Sequence, residues 1–125
     1  MNTITRRVAA SALAGTGVLH LVLAPEYLAE QTYIGALFIA GGVLCLGLAA
    51  RLWLVHDNVA WSAAGLIVAG MAAGFVLSRT VGLPGFFEEE WETSGIVSLM
   101  LEGGVILASI AALRPSAART RSLAR

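Results

Sequence analysis

Four apolar runs, at approximately residues 8–24, 33–55, 59–77 and 94–113, constrain this chain more than any other feature of it. Each is close to the ~20 residues that carry an α-helix across a hydrocarbon core. Lipid offers no hydrogen bonds, so a spanning backbone must pair its own polar groups, as a helix does. Of 125 residues, 58% are hydrophobic and 13% charged, against about 25% charged in a soluble domain. Nothing is left over for a soluble domain. The expected fold is all-α: a four-transmembrane-helix bundle over residues 1–113, then a polar tail at 114–125. No segment reads as a β-strand or an interdomain hinge, and no phosphate loop is present. The single cysteine, Cys45, lies mid-span. It excludes an intramolecular disulfide or a CxxC redox pair and reads as a small packing residue.

The charges orient the bundle. Every basic side chain is arginine. Arg6, Arg7, Arg51, Arg114, Arg119, Arg121 and Arg125 fall on one side of a chain that crosses four times, and only Arg79 falls on the other. The positive-inside rule places the first group, and with it both termini, in the cytoplasm. The outer side carries Glu26, Glu30, Glu88, Glu89, Glu90 and Glu92. Arginine used without lysine, with abundant Ala and Gly, suggests a GC-rich bacterial genome, so the expected location is the bacterial inner membrane. Arg6-Arg7, an apolar run and Val22-Leu23-Ala24 also resemble a secretory signal. Pro25 would then open the mature chain, which disfavours cleavage, and the first span is read as retained. The arginine-bearing tail reads as a cytoplasmic end in contact with anionic lipid, not as a nucleic-acid binder.

Small residues at four-residue spacing suit helices that pack tightly in lipid. Gly70/Gly74, Ser11/Gly15, Ala36/Ala40 and Gly65/Ala69 all show it. Trp53, Trp61, Trp91, Tyr27 and Tyr33 lie near span ends, where interfacial aromatics collect. The two outer connections also resemble each other. His20 stands five residues before Pro25 and Arg79 five before Pro84. Carboxylates, an aromatic and a glycine follow in both, which fits two helical hairpins related as a 2+2 pseudo-repeat.

Glu102 is the lone carboxylate of the fourth run. An ionisable group at mid-membrane costs about 2.5–3.5 kcal/mol on insertion scales and is seldom without a partner or a purpose. Gly95, Ser98, Glu102 and Ser109 follow helical spacing and form one small, polar stripe. His20 lies roughly 6 Å inside the end of the first span and Glu102 roughly 15 Å inside its own, a vertical gap of about 9 Å. Thr16 is one turn from His20, and Arg79 closes the third run from the outer side. The polar site expected from these spacings comprises His20, Arg79, Glu102, Thr16 and Ser98. For a metal ion the ligands would be His20 and Glu102, with Glu26 and Glu88 as outer ligands. Arg79 or a water would bridge the gap.

The segments Ala24-Pro25-Glu26-Tyr27, Tyr33-Ile34-Gly35, Leu77-Ser78-Arg79-Thr80-Val81-Gly82-Leu83-Pro84-Gly85 and Ser98 to Glu102 resemble a group of small, uncharacterised actinobacterial membrane proteins. The resemblance covers most of the chain and implies no mechanism. DoxX-type proteins share the four-helix topology but no motif.

Three function classes fit this pattern. A cation-handling protein would bind or transfer a proton or a divalent transition metal, which imidazole plus carboxylate suits. An accessory subunit would dock a membrane-protein partner through its acidic face, its polar residues setting helix register; a homo-oligomer is the other partner expected. An intramembrane enzyme would act on a lipid or isoprenoid, with carboxylates as acid and base. The first is the leading expectation.

Overall fold

The computed structural model describes residues 1–115; the tail expected at 114–125, with Arg119, Arg121 and Arg125, falls outside them after Pro115. Four α-helices follow one another: α1 (Thr3–Glu30), α2 (Thr32–Leu54), α3 (Asn58–Arg79) and α4 (Thr93–Leu113). All four are long and apolar enough to cross a membrane. The chain is an all-α helical bundle and a small multi-pass membrane protein.

Local chemistry sets the helix ends. The Asn2 side chain accepts a hydrogen bond from the Thr5 N–H at α1, and Asp57 accepts from Val59 and Ala60 at α3. Both are N-caps that satisfy otherwise orphaned amide groups. The first run was expected to end at Ala24, before Pro25. Instead α1 runs through Pro25 to Glu30, and the single extended residue Gln31 links it to α2. Proline removes one helical hydrogen bond, yet spanning helices tolerate the loss where neighbouring groups compensate. The two connections expected on the outer side therefore differ in form, one residue after α1 and a folded segment from Thr80 to Glu92 after α3.

The helices pack in the cyclic order α2–α1–α4–α3, with α1 against α2 the tightest pair and α2 against α3 the loosest. At the tightest crossing Gly17 and Gly42 face each other. A Cβ built on either would lie 2.9 Å from the other's carbonyl oxygen. Only glycine allows that approach. By contrast, a Cβ on Gly70 or Gly74 meets nothing within 4 Å, and Ala36, Ala40 and Ala69 are exposed. The Gly70/Gly74 pair thus creates space and does not seat a helix.

The bundle is solid at one end and hollow at the other. Near the arginine end Leu13, Cys45, Leu52, Trp61, Val68 and Val105 form a closed core. Trp61 is fully buried there, within the bundle and not at the lipid interface. Arg6 donates to the Leu52 carbonyl at 2.8 Å, and the Arg7 guanidinium lies 4.9 Å from the Trp53 ring. At the other end a second, smaller cluster of Tyr27, Ile34 and Phe86 forms beneath the connection at 80–92. Outward-facing Val22, Leu66, Met100 and Leu107 are each about 70% exposed. A bilayer would cover such a surface, whereas water would not.

Candidate functional site

The hollow end holds a cavity of about 340 Å3, within the ~300–1,000 Å3 usual for small-molecule sites. Leu37, Gly41 and Leu44 of α2 face Ile67, Gly70 and Gly74 of α3 across it. The gap lies where α2 and α3, the loosest of the packed pairs, present Gly41, Gly70 and Gly74 among larger apolar side chains. Met71 reaches over from α3, its terminal methyl 2.5 Å from where a Cβ on Gly41 would lie. Its flexible thioether chain is well suited to a deformable wall. Leu37 and Leu44 are 63% and 52% exposed, so the cavity borders the lipid-facing side of the α2–α3 seam.

Polar groups enter this apolar space from α1, α3 and α4. Glu102 is 2% exposed. Its Oε1 accepts from the Ser98 hydroxyl at 2.5 Å, one turn earlier on α4, and its Oε2 is buried with no partner among the described residues. His20 sits against Phe38, ring centroids 4.8 Å apart. Its Nδ1 lies 2.9 Å from the Thr16 carbonyl oxygen. A carbonyl can only accept, so Nδ1 carries the proton, and in the neutral ring Nε2 is a bare acceptor. Thr16 itself is fully buried and turned back to the Ala12 carbonyl; its side chain serves its own helix.

Arg79 closes the end of the cavity next to the 80–92 connection. Its Nε donates to the Glu90 carbonyl at 2.8 Å and its Nη1 to the Ser78 hydroxyl at 2.9 Å, while Nη2 lies 3.5 Å from the Tyr27 hydroxyl. The guanidinium stacks 3.8 Å from the Phe75 ring centroid, a cation–π contact. It does not reach inward to Glu102 as a bridge. Among the described residues the ion pair is Arg51–Asp57, at the opposite end. Arg79 instead fastens α3 to the 80–92 connection. That connection is tied down further by Gln31 donating to Gly85 and by Tyr33 donating to Pro84. Gly82 and Gly85 adopt positive φ angles of 86° and 64°, which only glycine takes up freely.

His20, Arg79, Ser98 and Glu102 all line one cavity. Glu26 and Glu88 do not: Glu26 is exposed, Glu88 half-buried, and both lie at the acidic rim with Glu30 and Glu92. No three of His, Cys, Asp and Glu gather into a metal-holding group among the described residues. Tyr27, Phe38, Phe75 and Ser78 also belong to the lining. Tyr27 follows His20 by seven residues, two helical turns on the same face, a signal that the expected break at Pro25 concealed. Compared with protein-family models, curated proteins and solved structures, the chain matches none.

Proposed function

We propose that this protein binds a small amphiphile within the bilayer, with its apolar body between α2 and α3 and its polar head toward His20 and Glu102. One observation supports the reading: an apolar cavity beside lipid is lined by Glu102, one of whose buried carboxyl oxygens no described protein group satisfies. Such an atom costs free energy unless something pairs with it, and a bound head group would supply the partner. Mostly apolar walls with a few convergent polar atoms are the usual form of a small-molecule site.

The leading sequence expectation, a proton or divalent-metal site, draws on the same two side chains. His20 Nε2 and Glu102 Oε2 would give a metal ion two protein ligands, and the remainder would have to be water. The apolar walls favour the amphiphile. The supporting orientation is the one the arginines suggest, with both termini cytoplasmic and the cavity in the outer half.

The test is thermal melting of the purified protein in nanodiscs with 1-dodecanol, methyl undecyl ether, dodecanoic acid and dodecyl phosphate. At least one should raise the melting point saturably, as ligand binding to the folded state requires. Gly74→Leu should remove the response by filling the cavity. A response unchanged in Gly74→Leu would overturn the reading.

A further inference from the structure

The hydrogen-bonding groups at the polar end of the cavity are specific enough to identify a head group. Three facts fix the pattern. The Thr16 carbonyl holds the His20 proton on Nδ1, so the neutral ring offers an acceptor at Nε2. No described residue donates to that nitrogen. The Ser98 hydroxyl donates to Glu102 Oε1, so Oε1 is the occupied oxygen and Oε2 the free one, in a side chain 98% buried by its 2% exposure. Among the described residues no cation pairs with Glu102.

A charged carboxylate without a counter-ion at mid-membrane is expensive, whereas a carboxylic acid carries one proton to give away. Resting on the cavity reading above, we propose that the occupant is an uncharged amphiphile with a hydroxyl head, held between the protonated Glu102 and neutral His20. Glu102 Oε2–H donates to the ligand oxygen, and the ligand O–H donates to His20 Nε2. The chain of bonds then runs from Ser98 through Glu102, the ligand and His20 to the Thr16 carbonyl. Each proton on this path meets one acceptor, with no net charge. An ether accepts from Glu102 but leaves Nε2 without a donor. A carboxylate or phosphate head presents negative charge to an acceptor nitrogen. A divalent cation would need Glu102 ionised and further ligands that the walls do not offer.

Sites that hydrogen-bond a substrate hydroxyl discriminate strongly against analogues that lack it, because their own polar groups are left unpaired. The experiment is saturation binding in nanodiscs, read by melting-point shift, for 1-dodecanol against methyl undecyl ether, which matches it in heavy atoms. The alcohol should bind at least tenfold more tightly. His20→Leu should bring the two to parity. Glu102→Gln should keep the preference, since its amide N–H donates where the acid did and its carbonyl still accepts from Ser98.

Equal affinity of wild type for alcohol and ether, with both lost in Gly74→Leu, would overturn the hydroxyl assignment and leave the cavity reading standing. Indifference of every probe to Gly74→Leu would remove the cavity reading itself. Stabilisation by zinc ions alone, abolished in Glu102→Gln, would overturn the assignment in favour of a cation. The two probe measurements on wild type need no variant to fold.

Discussion

Glu102 is held by one hydrogen bond, from Ser98, and its second oxygen is left over. If its purpose were to glue helices, truncating it would loosen the bundle. If its purpose is a ligand, an apolar side chain of similar size should be tolerated, because it removes an unsatisfied buried atom. Glu102→Leu is therefore expected to melt at or above the wild-type temperature while losing its response to amphiphiles. A clear drop in melting point would identify glue. A second residue-scale effect belongs to Asp57, whose carboxyl is held below its ordinary value by the Arg51 hydrogen bond and, after it, by the Ala60 and Val59 amides. A lowered folded value means stability that is present above the unfolded value of 3.8 and lost as pH falls through the folded one. The melting difference between wild type and Asp57→Ala should thus be constant near neutrality and shrink in acid below about pH 4. Glu102 and His20 were legible in the sequence because a polar residue inside an apolar run is costly and seldom lacks a partner or a purpose. Their hydrogen bonds were not, since the Thr16 carbonyl that fixes the His20 tautomer is backbone and leaves no mark in the residue pattern.

Glycines separate the helices that touch from those that part. Gly17→Ala would place a methyl group 2.9 Å from the Gly42 carbonyl oxygen and push α1 off α2. Overpacking of this kind costs about 1–3 kcal/mol, so a lowered melting point is expected in spite of alanine's better helix propensity. Gly74→Ala meets no neighbour and should stabilise, by up to about 0.8–1 kcal/mol of intrinsic propensity. Comparing these two variants by denaturation in detergent checks the assignment, and the opposite order would contradict it. The four-residue spacing at Gly70/Gly74 is the more conspicuous pattern in the sequence, yet Gly17/Gly42, on different helices, forms the contact. Spacing within one helix identifies a smooth face but does not say whether a second helix fills it. Pro25 shows the same limit. Its ring weakens one turn, and the bonds along the rest of α1 carry the helix on to Glu30, bringing Tyr27 over His20.

Across the described residues, the arginines other than Arg79 gather at the solid end and the glutamates toward the hollow end, and a four-span bundle could be read from charge and hydropathy alone. The loose α2–α3 seam could not, because it follows from how three other helix pairs pack. The orientation is checked by cysteine reporters in a Cys45-free background. Reporters at Glu30 and Glu89 should label from outside intact cells, and Asn58 should not; the reverse pattern would invert the bundle. The central claim is that a ligand enters the hollow end and does not merely coat the bundle. Photo-crosslinking tests it most directly, using a 12-carbon alcohol with a diazirine in its tail and peptide mapping of the adducts. The account predicts adducts concentrated at Leu44, Ile67 and Met71, competed by 1-dodecanol and lost in Gly74→Leu. Adducts spread evenly over lipid-facing Val22, Met100 and Leu107, unaffected by either, would contradict it.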